Sequence, residues 1–205
     1  MSVIRSHDVT LYGGTDEFDV VLRPLCDAHL PLLYKWNADP EVLYWADGGD
    51  KQAHSEETVR GIYGKTSQSP QNFLFLVEAN GVPVGECWLE KMNLRLILDM
   101  YPPAADVRRI DMMLGEKTYW NRGIGTAMIG MLVDFAFNRE HTEVLCSPVY
   151  DYNLRSRRAF EKNGFTLALR VQPSTEAPTK AGEDMYYRLT REEYAERRGK
   201  IPGTS

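Results

Sequence analysis

The chain has 205 residues, and its 24 Lys and Arg against 29 Asp and Glu leave a formal net charge of −5, which argues against a general polyanion binder. With 43% hydrophobic, 11% aromatic and 26% charged residues, the composition excludes disorder, collagen and coiled coil and suits one globular core. No apolar run approaches the roughly 18 to 20 residues of a membrane-spanning helix, and the N-terminal segment lacks the apolar core of a signal peptide. A soluble cytoplasmic protein with no membrane or nucleic-acid partner is the expectation. The three cysteines, Cys26, Cys87 and Cys146, have no CxxC spacing, so neither a disulfide framework nor a zinc cluster is suggested and each reads as a small buried residue. His7, His29, His54 and His141 sit in separate segments without HExxH spacing, and no metal is expected.

No repeat or long linker divides the sequence, and a single domain is expected over 1–205. A short strand at 9–12, the Gly13-Gly14 pair as its turn and a strand at 19–23 closed by Pro24 predict an opening hairpin. Leu30, Leu33, Tyr34 and Trp36 follow helical spacing with Asp27 as the N-cap. Residues 44–50 read as a loop, and Ser55-Glu56-Glu57-Thr58 opens a second helix weakened by Gly61 and Gly64. The apolar strands 73–77 and 84–89 flank Asn80-Gly81, a strong hairpin signal. Segment 91–106 carries a short helix before Pro102-Pro103. Then come a strand at 109–114, the glycine turn Arg122-Gly123-Ile124-Gly125-Thr126, a helix at 127–137 and a strand at 143–146. A helix at 153–163, strands at 165–171 and 185–189, and a charged terminal helix at 191–198 complete an α+β order with a mixed sheet.

The chemistry is signalled where strand, glycine turn and helix meet. Glycines there let backbone N–H groups converge where the helix dipole also favours negative charge, a place for a pyrophosphate. No Lys-Ser/Thr follows, so the turn is not a P-loop, and it is too short for the dinucleotide-binding GxGxxG. Alone it is a weak signal, because such glycines often serve only the turn.

Downstream stands Asn153-Leu154-Arg155-Ser156-Arg157-Arg158-Ala159-Phe160-Glu161-Lys162-Asn163-Gly164-Phe165. Together the two segments resemble the GNAT superfamily of acyl-CoA-dependent N-acetyltransferases, whose motifs read Q/R-x-x-G-x-G/A and N-x-x-A/S-x-x-x-Y-E-K-x-G-F. The resemblance covers a core of about residues 19–190. It implies a mixed sheet flanked by helices, with two strands splayed to admit acetyl-CoA. It also implies cofactor contacts from Met112, Met113 and Leu114 on one splayed strand, from the amides of Arg122, Gly123, Ile124, Gly125 and Thr126, and from Asn153 and Arg158, with Arg155 and Arg157 near the phosphates. The sequence departs from the motifs twice: Trp120 stands at the first Gln/Arg position, and Phe160 stands where the family's tyrosine protonates the leaving thiolate. Tyr150, Tyr152 or water remain as proton donors.

Within the superfamily, Tyr44-Trp45, the acids up to Asp99 and the segment Arg109-Ile110-Asp111 resemble aminoglycoside N-acetyltransferases, most of all the 6′-N type. The resemblance implies direct acetyl transfer to an amino group of the antibiotic, and hence resistance, with Asp111 as the base. Trp45, Asp47, Glu90, Asp99 and Asp151 are the candidate substrate contacts, carboxylates for ammonium groups and an indole for a sugar ring. Pro148 stands five residues before Asn153, where the 6′ enzymes often carry an acid. The 2′-amine of kasugamycin-like sugars is therefore a second regiochemistry. Other acceptors, such as a siderophore or a protein N-terminus, and a non-catalytic acyl-CoA sensor are the rival readings, and the protein is expected as a monomer or homodimer.

Overall fold

The computed structural model describes residues 2–48, 52–172 and 182–199. Strands β1 (Leu11–Gly14) and β2 (Asp19–Pro24) form the opening antiparallel hairpin, but Gly13 and Gly14 lie in the strand instead of in its turn. The turn falls at 15–18, where the Thr15 hydroxyl accepts the N–H groups of Glu17 and Phe18 at 3.2 and 3.0 Å. Gly13 packs closely against the Met131 side chain: a Cβ there would lie 2.7 Å from its sulfur and would push that side chain aside.

Helix α1 (Leu30–Asn37) follows a 3-10 turn at Asp27–His29. Asp27 does not cap it, because its carboxylate accepts the N–H groups of Val3 and Ile4 at 2.9 and 2.7 Å and ties down the N-terminal segment. Helix α2 (Pro40–Ala46) takes Tyr44 and Trp45 out of the expected loop. Asp39 caps it by accepting from Glu41 and Val42, and Pro40 is preset for a first helical turn. Of the rest of the expected loop, Asp47 and Gly48 follow the helix, and 49–50 lie outside the described residues. Helix α3 (Glu56–Ser67) is capped by Ser55, whose hydroxyl accepts the Thr58 N–H at 3.1 Å.

Strands β3 (Phe73–Ala79) and β4 (Val82–Lys91) pair across Asn80 and Gly81, whose φ values of 48° and 77° suit the two-residue turn. After the short α4 (Arg95–Leu98) come β5 (Val107–Leu114), α5 (Ile124–Asn138), β6 (Val144–Tyr150) and α6 (Leu154–Lys162). Strands β7 (Thr166–Val171) and β8 (Asp184–Thr190) and helix α7 (Arg191–Gly199) follow. The terminal helix buries no residue, yet the Tyr194 hydroxyl donates to Asp134 at 2.7 Å.

The strands form one mixed sheet in the order β1-β2-β3-β4-β5-β6-β8-β7, an α+β architecture. All neighbours are antiparallel except β5 and β6, whose parallel pairing stops after Val107↔Val144 and Arg108↔Leu145. Beyond those two positions the strands splay. Met128, Ile129, Leu132 and Val133 of α5 pack on one face against Val20, Leu22, Phe75, Val77 and Ile110. Leu33, Trp36, Val59 and Tyr63 cover Leu74, Leu76, Trp88 and Met113 on the other. Cys87 and Cys146 are buried, and Cys26 is half-buried. Among the described residues no helix is long and apolar enough to cross a membrane.

Candidate active site

The splay creates the site. At its apex the Ile110 N–H donates to the Ser147 hydroxyl at 3.0 Å. Because alternate amides of a strand point to the same edge, the next one on this edge, that of Met112, is turned into the gap. A cavity of about 410 Å³ fills the wedge, bounded by β5 from Ile110 to Leu114, the turn from Tyr119 to Thr126, the end of β6 and one side of α6.

The glycine turn shapes the far end. Gly123 has φ of +82° and stands at the N-cap of α5, so no side chain caps the helix there. The first amides of a 15-residue helix and its dipole are thus available to an anion. Trp120 braces the turn by donating its indole N–H to the Leu114 carbonyl at 2.8 Å. The Arg122 side chain is occupied outside, paired with Glu17 and lying 4.4 Å over the Phe18 ring. From α6, Arg155, Arg158 and Lys162 line the cavity. The Arg155 guanidinium is clamped between the indoles of Trp45 and Trp120, 4.3 and 4.5 Å from their ring centres. A narrow wedge edged by unpaired backbone, an uncapped helix N-terminus and a cationic rim fits the pantetheine, pyrophosphate and phosphate groups of coenzyme A.

Three hydrogen bonds fasten the end of α2 across the mouth of the wedge. The carbonyls of Tyr44, Trp45 and Asp47 accept from the Tyr152 hydroxyl, the Asn153 amide and the Tyr150 hydroxyl at 2.8, 2.9 and 3.0 Å. Asn153 also caps α6, accepting the Ser156 N–H at 3.2 Å.

A second cavity of about 230 Å³ opens beside the wedge along β5, β6 and β8, lined by Asp47, Arg109, Asp111, Tyr150, Asp184 and Tyr186 among others. Asp111, Tyr150, Pro148 and Val149 border both cavities, so Asp111 stands at the junction of a cofactor-sized wedge and an acidic chamber. Its carboxylate pairs with Arg109 at 2.6 Å. Arg109 also pairs with Glu90 on β4. Burial, with the Asp111 charge adding and Arg109 opposing, pushes the Glu90 carboxyl up to about 7. Glu86, farther along β4, is buried and held well above the ordinary carboxyl range by burial first and by Asp111 second. Burial foremost, then Asp184 and Asp47, also raises the Tyr150 phenol, which therefore keeps its proton at neutral pH.

A family model described as an acetyltransferase (GNAT) domain matches residues 19–166. The chain belongs to the GNAT acetyltransferase family. The aminoglycoside N(6′)-acetyltransferase type 1 of Klebsiella pneumoniae is 24% identical over 162 residues, covering 71% of this chain and 73% of that protein. A protein of the same name from Serratia marcescens matches to the same extent. Among solved structures, aminoglycoside acetyltransferase AAC(6′)-Ib in complex with coenzyme A matches with a TM-score of 0.70 at 22% identity, over 87% of this chain and 99% of that one. The spermidine N-acetyltransferase of Vibrio cholerae, in complex with CoA and spermine, matches with a TM-score of 0.70 at 13% identity, over 86% and 98%.

Within this GNAT frame the residues singled out in the sequence fall in several places. Met112, Met113, Leu114, Gly123, Ile124, Gly125, Thr126, Asn153 and Arg158 line the wedge with Arg122. Arg157 does not, since it turns to the Tyr187 hydroxyl and the Asp151 carbonyl at 3.1 and 3.0 Å. Trp45 borders the wedge, where its indole lies on Arg155, and not the acidic chamber. Asp47 borders the chamber, and Glu90 is buried behind it. Asp99 lies outside both cavities, paired with Arg95 at 2.7 Å on the surface. Asp151 is outside as well, its carboxylate accepting the Tyr152 N–H. Phe160, at the motif's tyrosine position, lines the wedge with its ring set edgewise on Phe165. Asp184 and Tyr186 carried no motif. They reach the chamber because β8 pairs with β6, placing Asp184 opposite Tyr150 and Tyr186 opposite Pro148.

Proposed function

We propose that this GNAT protein transfers the acetyl group of acetyl-CoA to an amino group of an aminoglycoside antibiotic, the 6′-amine first and the 2′-amine of kasugamycin-like sugars second, and so confers resistance. The observation that carries the reading is the position of Asp111 between the wedge and a chamber edged by Asp47 and Asp184. Clustered carboxylates attract and orient a polycationic amino sugar. The named relatives and the structures with bound coenzyme A agree with this reading.

When bound in the wedge, acetyl-CoA supplies an activated thioester. The amides at the start of α5 hold its pyrophosphate, Arg155 and Arg158 face its phosphates, and the Met112 N–H is placed to polarise the thioester carbonyl. Asp111 takes a proton from the acceptor ammonium, freeing the lone pair for attack. Phe160 has no proton to give, so we assign the protonation of the departing sulfur to Tyr150, whose phenol remains protonated and borders both cavities.

Purified protein mixed with acetyl-CoA and kanamycin, tobramycin, gentamicin, apramycin, kasugamycin or spermidine tests the reading through thiol release and product mass. Turnover on an aminoglycoside supports it. Turnover on spermidine alone reassigns the acidic chamber to a linear polyamine, and CoA binding without any turnover favours an acyl-CoA sensor.

A further inference from the structure

The register of β4 against β5 sets three acidic groups in one row. Glu86 pairs with Met113, Trp88 with Asp111 and Glu90 with Arg109. Cross-strand partners project to the same face, so Glu86 and Glu90 both lie diagonally beside Asp111. Only Asp111 reaches the chamber with substantial exposure, 34% of its side chain, whereas the Glu90 side chain is 6% exposed. A residue so covered is poorly placed to touch an acceptor. Its contacts are instead with the site's own residues: Arg109 pairs with Glu90 and with Asp111 at once. One guanidinium therefore bridges the two carboxyls.

We propose that Glu90 is a positioning residue for the acetyl transfer, joined to Asp111 through Arg109 so that the two carboxyls act as a single proton-accepting unit. This rests on the acetyltransferase reading given above. With both carboxylates ionised and Arg109 cationic, the unit has one negative charge in excess, and one proton neutralises it. The acceptor's R–NH3+ gives a proton to Asp111, and the unit that Arg109 joins takes it up. The freed nitrogen pair forms the N–C bond to the acetyl carbon, and the C–S bond breaks with its electron pair going to sulfur. Tyr150 gives its phenol proton to the thiolate and is reprotonated by the second proton that the amide nitrogen loses, and the proton held by the unit leaves to solvent when the chamber empties. Without Glu90, Arg109 would pair with Asp111 alone and the unit would lose its excess negative charge.

The charged groups facing Glu90 are Arg109 and Asp111 from β5 and Glu86 along its own strand, with Tyr63 of α3 bordering Glu86. Burial and the Asp111 charge raise Glu90 to about 7, against the pull of Arg109. Below that value Glu90 holds a proton, and above it the unit carries its excess negative charge.

The test uses the full chain labelled with 13C at glutamate carboxyls, followed by NMR through a pH titration without any acceptor. Glu90, identified by loss of its resonance in Glu90→Gln, is expected to titrate near 7. In Asp111→Asn it should titrate lower by about one unit or more, since the neighbouring charge is gone and Arg109 remains. An ordinary carboxyl titration in the wild type, or no movement in Asp111→Asn, overturns the proposal. In the second arm, the acidic limb of kcat/KM for the best amine acceptor found, of any class, should move to lower pH in Glu90→Gln. Its kcat should fall roughly tenfold, with KM for acetyl-CoA unchanged. A merely structural glutamate would lower kcat without moving the limb, and that result also overturns the proposal. Because the NMR arm contains no acceptor, failure on aminoglycosides would sink the substrate reading while the coupling of Glu90 to Asp111 is judged separately.

Discussion

The hydroxyl of Ser147 accepts the N–H of Ile110 at 3.0 Å where β5 and β6 cease to pair. A side chain thus takes the place of the missing strand partner, satisfying the last amide before the wedge opens. Ser147 is fully buried, so water cannot take over that role without rearrangement.

Replacing Ser147 by Ala should leave the Ile110 amide unsatisfied and cost about 1–3 kcal/mol of stability. It should also weaken CoA binding, because the wedge loses the bond that sets its apex. Denaturant unfolding and calorimetric titration with CoA check both. An unchanged midpoint together with unchanged affinity would show that the apex is held by the sheet alone.

Gly123→Ala should be destabilising by about 1–2 kcal/mol, the cost of a side chain in the left-handed region. The new Cβ would also sit 3.2 Å from the Thr15 methyl. The expected kinetic signature is a raised KM for acetyl-CoA with a smaller change in KM for the amine. Equal effects on both would argue that the turn does not cradle the cofactor.

Tyr150→Phe removes the hydroxyl that donates to the Asp47 carbonyl at 3.0 Å and the proposed proton donor to sulfur. The predicted outcome is a kcat lower by about tenfold or more with CoA affinity retained. A wild-type kcat would pass the proton-donor role to water.

Much of this site was legible because its signals are local. Gly123 and Asn153 each stand at a helix start and carry the family's motif, so their places on the wedge follow from a few adjacent residues. The acidic chamber was less legible. Asp184 and Tyr186 reach it only through the pairing of β8 with β6, a contact between distant segments that no periodicity encodes. Asp99 reads as a motif acid, yet the turn of α4 aims it at Arg95 and away from the chamber. Trp45 reads as loop because its aromatic neighbours hide a short helix, although Asp39 and Pro40 are a start signal. Glu90 looked like a substrate ligand; that it is buried against Arg109 depends on a register visible only in the sheet.

Stability should fall as pH rises above the ordinary carboxyl value of 4.5, because the native state holds Glu86 and Glu90 protonated where the unfolded chain releases those protons. A carboxyl with a raised folded pKa stabilises fully below its unfolded value and loses that contribution as pH climbs toward its folded value. For Glu90 the window closes near 7, and for Glu86, held well above the ordinary carboxyl value by burial, it runs upward from 4.5 in the same direction. Each such group contributes a slope of about 1.4 kcal/mol per pH unit within its window. Glu86→Gln should therefore gain on the wild type as pH increases from 5 to 8, read as a growing difference in Tm. A constant difference would place Glu86 in the ordinary range.

The most direct measurement is a comparison of wild type with Asp111→Asn, following thiol release from acetyl-CoA on the best aminoglycoside and CoA binding by calorimetry. The junction geometry predicts kcat lower by about 10²–10⁴-fold with CoA affinity unchanged. A variant that acetylates at the wild-type rate would contradict the assignment of Asp111 as the base between the two cavities.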